Sequence, residues 1–192
     1  MNFYSFARGV VSIALSPLYR IEVIGTENIP STGSVLICSN HIENFDPLIV
    51  GITSPRAIHF MAKEELFNVP VMGKIVSKVN AFPVKRGMSD REALRKGLKV
   101  LKDNNVLGLF PEGTRSKDGK LGKGLAGAGF FAIRSNATVI PCAIIGPYKL
   151  FGRLKVVYGR PIDMEALREQ KASAEETTDK IMNSIGELIE KF

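Results

Sequence analysis

The sequence predicts a single α/β domain whose central mixed sheet is flanked by helices. Three observations carry this. Short apolar runs of strand length, such as "SVLICS", "VLGLF" and "TVIPCAII", alternate with longer stretches of helical pattern, and that alternation marks an α/β sheet. The 192 residues suffice for one full core. No low-complexity linker or internal repeat divides them.

The first twenty residues, "MNFYSFARGVVSIALSPLYR", are mostly apolar, with Arg8 and Arg20 as charges and a break at Pro17. They are too short and interrupted for a membrane span, which needs about 20 continuous apolar residues. They also lack the basic start and clear cleavage site of a signal peptide. The pattern predicts an amphipathic helix within residues 1–19. It lies either on a membrane surface, anchored by Phe3, Tyr4 and Phe6, or on the domain as a first core helix.

Residues 20–192 form the domain itself. "RIEVIG" (20–25) and "SVLICS" (34–39) read as strands joined by the turn-rich "TENIPSTG". "PLIVGIT" reads as a helix with Pro47 in its first turn and Asp46 as N-cap. "AIHFMA" (57–62) is a strand, "EELFNVPVMGKIVSKV" one or two short helices broken at Pro70, and "AFPVK" (81–85) a further strand. "SDREALRKGLKVLKD" (89–103) is a helix whose Ser89 and Glu92 have capping-box spacing. "VLGLF" (106–110) is a short buried strand, followed by a Gly-rich loop over 111–124 and a helix to about 134. "TVIPCAII" (138–145) and "RLKVVYG" (153–159) are strands, and one acidic helix runs from about 163 to 190. Polar motifs follow three of these strands, after "VLIC", "AFPV" and "VLGLF". Ligands of α/β sheets sit at such carboxyl ends.

Apolar residues make up 45% of the chain, charged residues 23%, and mean hydropathy is +0.07, a globular composition. Charge is uneven. Residues 1–160 hold 22 basic and 11 acidic side chains, whereas residues 161–192 hold 4 and 8. A basic body suits an anionic partner: nucleic acid, an anionic membrane or a phosphorylated substrate. Nucleic acid is disfavoured, because there is no aromatic-interleaved RNA-binding pattern and no zinc spacing. Cys38 and Cys142 lie in apolar runs, which predicts buried free thiols in a reducing compartment. Cys38 reads as core rather than as a nucleophile, His59 as a packed strand residue, and no metal-ligand spacing is present.

Four motifs bear on chemistry. In "NHIENFD", His41 precedes Asp46 by five residues. A histidine is the usual general base for a hydroxyl, and a carboxylate fixes its tautomer. On a continuous helix the two would lie about 140° apart, so only a loop curling from strand end to helix start brings them together. A catalytic pair and a surface histidine beside a capping aspartate both fit. In "FPEGTRSKDGKLGKG", Gly113 allows close backbone approach, Thr114 adds a hydroxyl and Arg115 a guanidinium that suits phosphate. A tight turn with solvated charges fits as well. "GKGLAG" has dinucleotide-loop spacing but follows a polar loop rather than a strand. Gly124, Gly127, Ala128 and Gly129 read as sites of close helix–sheet packing. "PVKR" puts Lys85 and Arg86 at a strand end, within the densest basic region (74–123, 13 basic against 5 acidic), and Arg86 is the better candidate for a specific contact.

Together these motifs resemble the lysophosphatidic acid acyltransferase family, the glycerolipid acyltransferases with an N-H-x4-D signature. Asn40, His41 and Asp46 match its first block. Lys63, Glu65, Leu66, Phe67, Pro70 and Gly73, then Pro83, Val84 and Arg86, match its second. "FPEGTRS" (110–116) is its third block and the Val139–Ile144 strand its fourth. The resemblance implies acyl transfer from acyl-CoA or acyl carrier protein to the free hydroxyl of 1-acyl-sn-glycerol 3-phosphate, making phosphatidic acid. In that scheme His41 is the general base and Asp46 its orienting carboxylate. Lys63, Arg86, Glu112, Gly113, Thr114 and Arg115 form the acceptor site, with Glu112 ordering the loop rather than touching phosphate. No metal or cofactor is implied. The basic body and first helix would then serve an anionic membrane, at the cytoplasmic face of the cell membrane. Family members often carry serine where this chain has Glu43, which puts acceptor identity in question. The same chemistry on glycerol 3-phosphate or another lysolipid is one alternative. A non-catalytic basic module binding membrane or nucleic acid is another, and it has no need of His41.

Overall fold

Residues Val35–Ser39 form a strand, β2, in which every residue is buried. Val35 and Ile37 join one core cluster, and Leu36 and Cys38 join a second. Successive side chains of a strand point to opposite faces, so a strand covered on both faces needs a continuous apolar run. A computed structural model of the chain describes residues 3–85 and 90–192. Arg86 and Ser89 therefore lie outside the described residues.

The other strands are β1 (Arg20–Ile24), β3 (Ile58–Lys63), β4 (Phe82–Val84), β5 (Val106–Leu109), β6 (Thr138–Ile145) and β7 (Arg153–Tyr158). They form one seven-stranded sheet in the order β1-β7-β6-β2-β5-β3-β4. All neighbours pair in parallel except β6 and β7, which pair antiparallel. The sheet is mixed, as the sequence predicts. Because β2, β5, β3 and β4 are mutually parallel, their carboxyl ends lie along one edge.

Helices α1 (Phe3–Leu15) and α2 (Asp46–Thr53) supply Leu15, Ile49 and Val50 to the first cluster. After β3, the predicted break at Pro70 separates α3 (Glu64–Phe67) from α4 (Met72–Lys78). The second cluster receives Leu101 from α5 (Arg91–Lys102), Phe131 from α6 (Gly127–Arg134), Met164 from α7 (Met164–Glu169), and Ile181 and Ile185 from α8 (Ala174–Lys191).

Three local expectations are corrected. The acidic C-terminal segment is two helices, not one. Ser173 caps α8 with a complete Ser173–Glu176 capping box, and Lys171 before it takes φ +51°, a left-handed conformation that ends α7. The cap of α5 is Asp90, not Ser89; its carboxylate accepts from the amides of Glu92 and Ala93. Close packing at Gly129 is helix to helix rather than helix to sheet. A Cβ there would overlap the Ala174 carbonyl of α8, and the Gly129 amide donates to Thr178 Oγ1 at 2.9 Å.

Helix α1 packs on the domain by one face and leaves the other exposed. On one, Tyr4 Oη accepts from the Ile58 amide at 3.1 Å, Arg8 Nη2 donates to the Ile52 carbonyl at 3.1 Å, and Leu15 is buried. On the other, Phe3, Phe6, Val10 and Ile13 recur at helical spacing and stay exposed, Ile13 at 79%. The helix packs on the domain and still presents an apolar stripe, but Tyr4, expected among the anchors, turns inward onto the domain. Among the described residues no helix is long and apolar enough to cross a membrane.

Candidate active site

The chain leaves β2 at Ser39 and turns into the loop that starts α2. Asn40 secures the exit. Its buried side chain donates to the Ile144 carbonyl at 2.9 Å and accepts from the Ile144 amide at 2.7 Å, replacing strand pairing where the backbone diverges. His41 is then held through both of its backbone groups. Its amide donates to Glu112 Oε1 at 2.9 Å, and its carbonyl accepts from the Ser116 amide at 2.8 Å. Its ring stacks on Phe110 with centroids 4.3 Å apart.

The loop curls back on itself and joins the two residues that a straight helix would separate. His41 Nδ1 lies 2.7 Å from Asp46 Oδ2. The same oxygen accepts from the amides of Ile42 at 2.6 Å and Glu43 at 2.8 Å. Asp46 Oδ1 accepts from the Tyr148 hydroxyl at 2.6 Å. Asp46 has 0% exposure, so four donors stand in for water on this carboxylate. An oxygen already accepting from two amides accepts from Nδ1 as well. That leaves Nε2 of the neutral ring as an acceptor. Burial, and then the adjacent Asp46 charge, push the Tyr148 phenol far above its ordinary pKa, so it stays a donor.

This geometry corrects one expectation. Asp46 is the first residue of α2, not its cap, and its carboxylate makes no capping bond to the helix.

The second loop follows β5. Glu112 is 8% exposed and uses both oxygens on backbone: Oε1 holds the His41 amide, and Oε2 accepts from the Gly122 amide at 2.9 Å. Gly113 takes φ +69°, a left-handed conformation that glycine adopts without the strain a side chain would carry. Thr114 and Arg115 are exposed. Arg115 Nη1 lies 2.8 Å from Glu43 Oε1. The Asn44 amide, and then Arg115, hold the Glu43 carboxyl below the usual carboxylate range.

A cavity of about 370 Å³ opens beside these loops. His41 after β2, Lys85 after β4, and Phe110 and Gly113 after β5 all line it, so three strand ends meet at one void. Its remaining walls are largely apolar, including Met61, Val84, Leu94, Leu109 and Phe131. Lys63 is not among its lining residues; its side chain is half exposed and lies 3.3 Å from Glu65. Lys85, weighed in the sequence below Arg86, is the described cation at the cavity. The cysteines are inert core: burial pushes the Cys142 thiol up to about 12 and that of Cys38 higher still. Sequence reasoning missed Tyr148 entirely, since it is 102 residues from Asp46 and no local pattern marks it.

Residues 20–145 match the family model described as Acyltransferase. The chain belongs to the acyltransferase family. Among its relatives, the 1-acyl-sn-glycerol-3-phosphate acyltransferase of Bacillus subtilis is 32% identical over an alignment of 166 residues that covers 83% of this chain and 82% of the relative. The chloroplastic 1-acyl-sn-glycerol-3-phosphate acyltransferase LPAT1 of Arabidopsis thaliana is 29% identical over 174 residues, covering 84% of this chain but 49% of the relative. This chain thus spans about half the length of the plant protein. The crystal structure of the 1-acyl-sn-glycerophosphate acyltransferase of Thermotoga maritima shares the fold, with a TM-score of 0.83 at 24% identity over 98% of this chain and 78% of that one. The family match of this acyltransferase contains both loops that hold His41 but ends at Ile145, so Tyr148 lies beyond it.

Proposed function

We propose that this acyltransferase moves a fatty acyl group from acyl-CoA or acyl carrier protein to the free hydroxyl of 1-acyl-sn-glycerol 3-phosphate, giving phosphatidic acid. The observation that carries the reading is the His41–Asp46 pair at 2.7 Å, set at one wall of an apolar cavity and tied to the Arg115 loop. The names of the Bacillus and Arabidopsis relatives support the acceptor.

In this mechanism His41 Nε2 takes the acceptor hydroxyl proton as the oxygen attacks the thioester carbonyl. The carbon–sulfur bond then breaks, and the proton passes from His41 to the leaving thiolate. Asp46 stabilises the imidazolium through Nδ1, a contribution of the general-base type worth about 10²- to 10⁴-fold. No acyl-enzyme forms, because the acceptor oxygen is the nucleophile. The donor's acyl chain occupies the apolar cavity. The acceptor phosphate sits at Gly113, Thr114 and Arg115, with Lys85 and Arg86 as further cations. Lys63 adds positive charge at the same sheet edge. Glu112 is a positioning residue, because both its oxygens are spent on backbone amides.

The exposed stripe of α1, with Leu18, Leu150 and Phe151 exposed where the Phe151 amide meets the Leu18 carbonyl, gives a membrane-facing surface. The basic body adds attraction to an anionic leaflet, on the cytoplasmic face of the cell membrane. The test is thiol release from acyl-CoA and acyl carrier protein across a panel of lysolipids and glycerol 3-phosphate. Turnover is expected with 1-acylglycerol 3-phosphate, and His41→Ala should lose about 10²- to 10⁴-fold in kcat. Undiminished activity in His41→Ala would overturn the mechanism. Preference for another acceptor would overturn the substrate.

A further inference from the structure

Glu43 belongs neither to the catalytic pair nor to the cavity, yet it is fixed twice. Its amide donates to Asp46 Oδ2 at 2.8 Å, and its Oε1 accepts from the Asn44 amide and from Arg115 Nη1, each at 2.8 Å. The carboxylate therefore occupies the one guanidinium of the "GTRS" loop, the group best shaped for a phosphate. The side chains are 45% exposed for Arg115 and 35% for Glu43, so a ligand in solution reaches both. Ion pairs this exposed shift an equilibrium by about fivefold at most. A phosphate, with more charge and three acceptor oxygens, outcompetes such a partner.

We propose that Glu43 is an internal occupant of the acceptor's phosphate seat, neutralising Arg115 in the empty site and giving way to the phosphate when the acceptor binds. The inference rests on Arg115 as the phosphate ligand of the proposed reaction. Its consequence is selective. An unpaired guanidinium beside His41 would collect any small anion, whereas Arg115 paired with Glu43 yields only to a ligand that binds it better. Glu43 thus sets the acceptor's KM and leaves proton transfer untouched.

The experiment compares wild type, Glu43→Gln, Glu43→Ser, Arg115→Ala and the double variant Glu43→Gln/Arg115→Ala. The acceptor is a short-chain 1-acylglycerol 3-phosphate below its micellar concentration. Removing the occupant should lower the acceptor KM by about three- to fivefold in both Glu43 variants, the upper part of the range for an exposed ion pair. The kcat and the donor KM should stay within about twofold, as should the melting profile. Arg115→Ala should raise the acceptor KM by a larger factor in the Glu43→Gln background than in wild type. An unchanged KM, a raised KM or a fall in kcat in the Glu43 variants overturns the proposal; a raised KM would make Glu43 a tether that presents Arg115. Wild-type turnover with an unmoved KM sinks this inference alone. A wild type that does not use the acceptor sinks the functional reading, and the inference with it.

Discussion

Replacing Tyr148 by Phe isolates the one described support of the Asp46 carboxylate that comes from outside the two loops. The change removes a single hydroxyl. The ring keeps its edge-on contact with Tyr19, centroids 5.4 Å apart, and its tilted contact with Phe45. What is lost is the 2.6 Å bond to Asp46 Oδ1, the only protein contact described for that oxygen. A hydrogen bond to a charged group contributes about 1.5–3 kcal/mol, and an unsatisfied buried acceptor sits at the upper end. For a chain of this length each kcal/mol moves the melting temperature by about 2–4 °C, so a fall of about 3–12 °C is expected. Oδ2 keeps its two amides and His41, so the pair persists but its carboxylate is free to rotate. A loss of about 1.4 kcal/mol in transition-state stabilisation lowers kcat about tenfold. Acceptor and donor KM should stay within about twofold, since Tyr148 lines neither the cavity nor the Arg115 loop. Thiol-release kinetics and a thermal melt read all three quantities. A lowered melting temperature with kcat within twofold of wild type would refute the argument and leave Tyr148 a fold residue; a raised acceptor KM would place it against substrate.

Glu112→Gln should lower kcat by about five- to a hundredfold with acceptor KM unchanged, because one of its two amide donors then faces an NH₂ group instead of an oxygen; a change in KM alone would make Glu112 a substrate contact. Ala93→Leu adds bulk to the cavity wall and should shift donor preference to shorter thioesters, with about fourfold lost in kcat/KM for each methylene excluded; an unaltered chain-length profile would put the acyl chain elsewhere. Phe6→Glu with Ile13→Glu should cut sedimentation with anionic vesicles by more than about tenfold while the melting temperature holds, since both side chains already face outward; unaltered binding would remove α1 from the membrane reading.

The central strands β2 and β6 were legible as apolar runs buried on both faces, the others as short β-prone runs between turn residues, and all seven fall where the sequence puts them. Helix ends were less legible. The break before α8 depends on Ser173 and Glu176 closing a capping box that a long amphipathic pattern hides. Within the site, "NHIENFD" and "FPEGTRS" identify themselves because each loop is continuous in sequence. What joins the loops is not local. Glu112 reaches the His41 amide across 71 positions, and Tyr148 reaches Asp46 across 102. A single sequence records the residue types of such contacts but not the pairing, which only the strand order β6-β2-β5 creates.

The five-residue spacing of His41 and Asp46 has a reason beyond the reach of the ring. A helix start leaves amides without partners, and an aspartate there ordinarily spends its carboxylate on them. In α2 that demand is met by backbone alone. The Asp46 amide donates to the Glu43 carbonyl, Pro47 has no amide to satisfy, and the amides of Leu48 and Ile49 both donate to the Phe45 carbonyl. The carboxylate is thereby free to face backward, where the curled loop offers the Ile42 and Glu43 amides and, one residue earlier, the His41 ring. A shorter loop would lack one of those amides, and a longer one would carry His41 away from the β2 exit that Asn40 and Glu112 fix. Pro47 matters for what it does not require: by removing one donor from the first turn, it leaves Asp46 to serve the histidine instead of the helix.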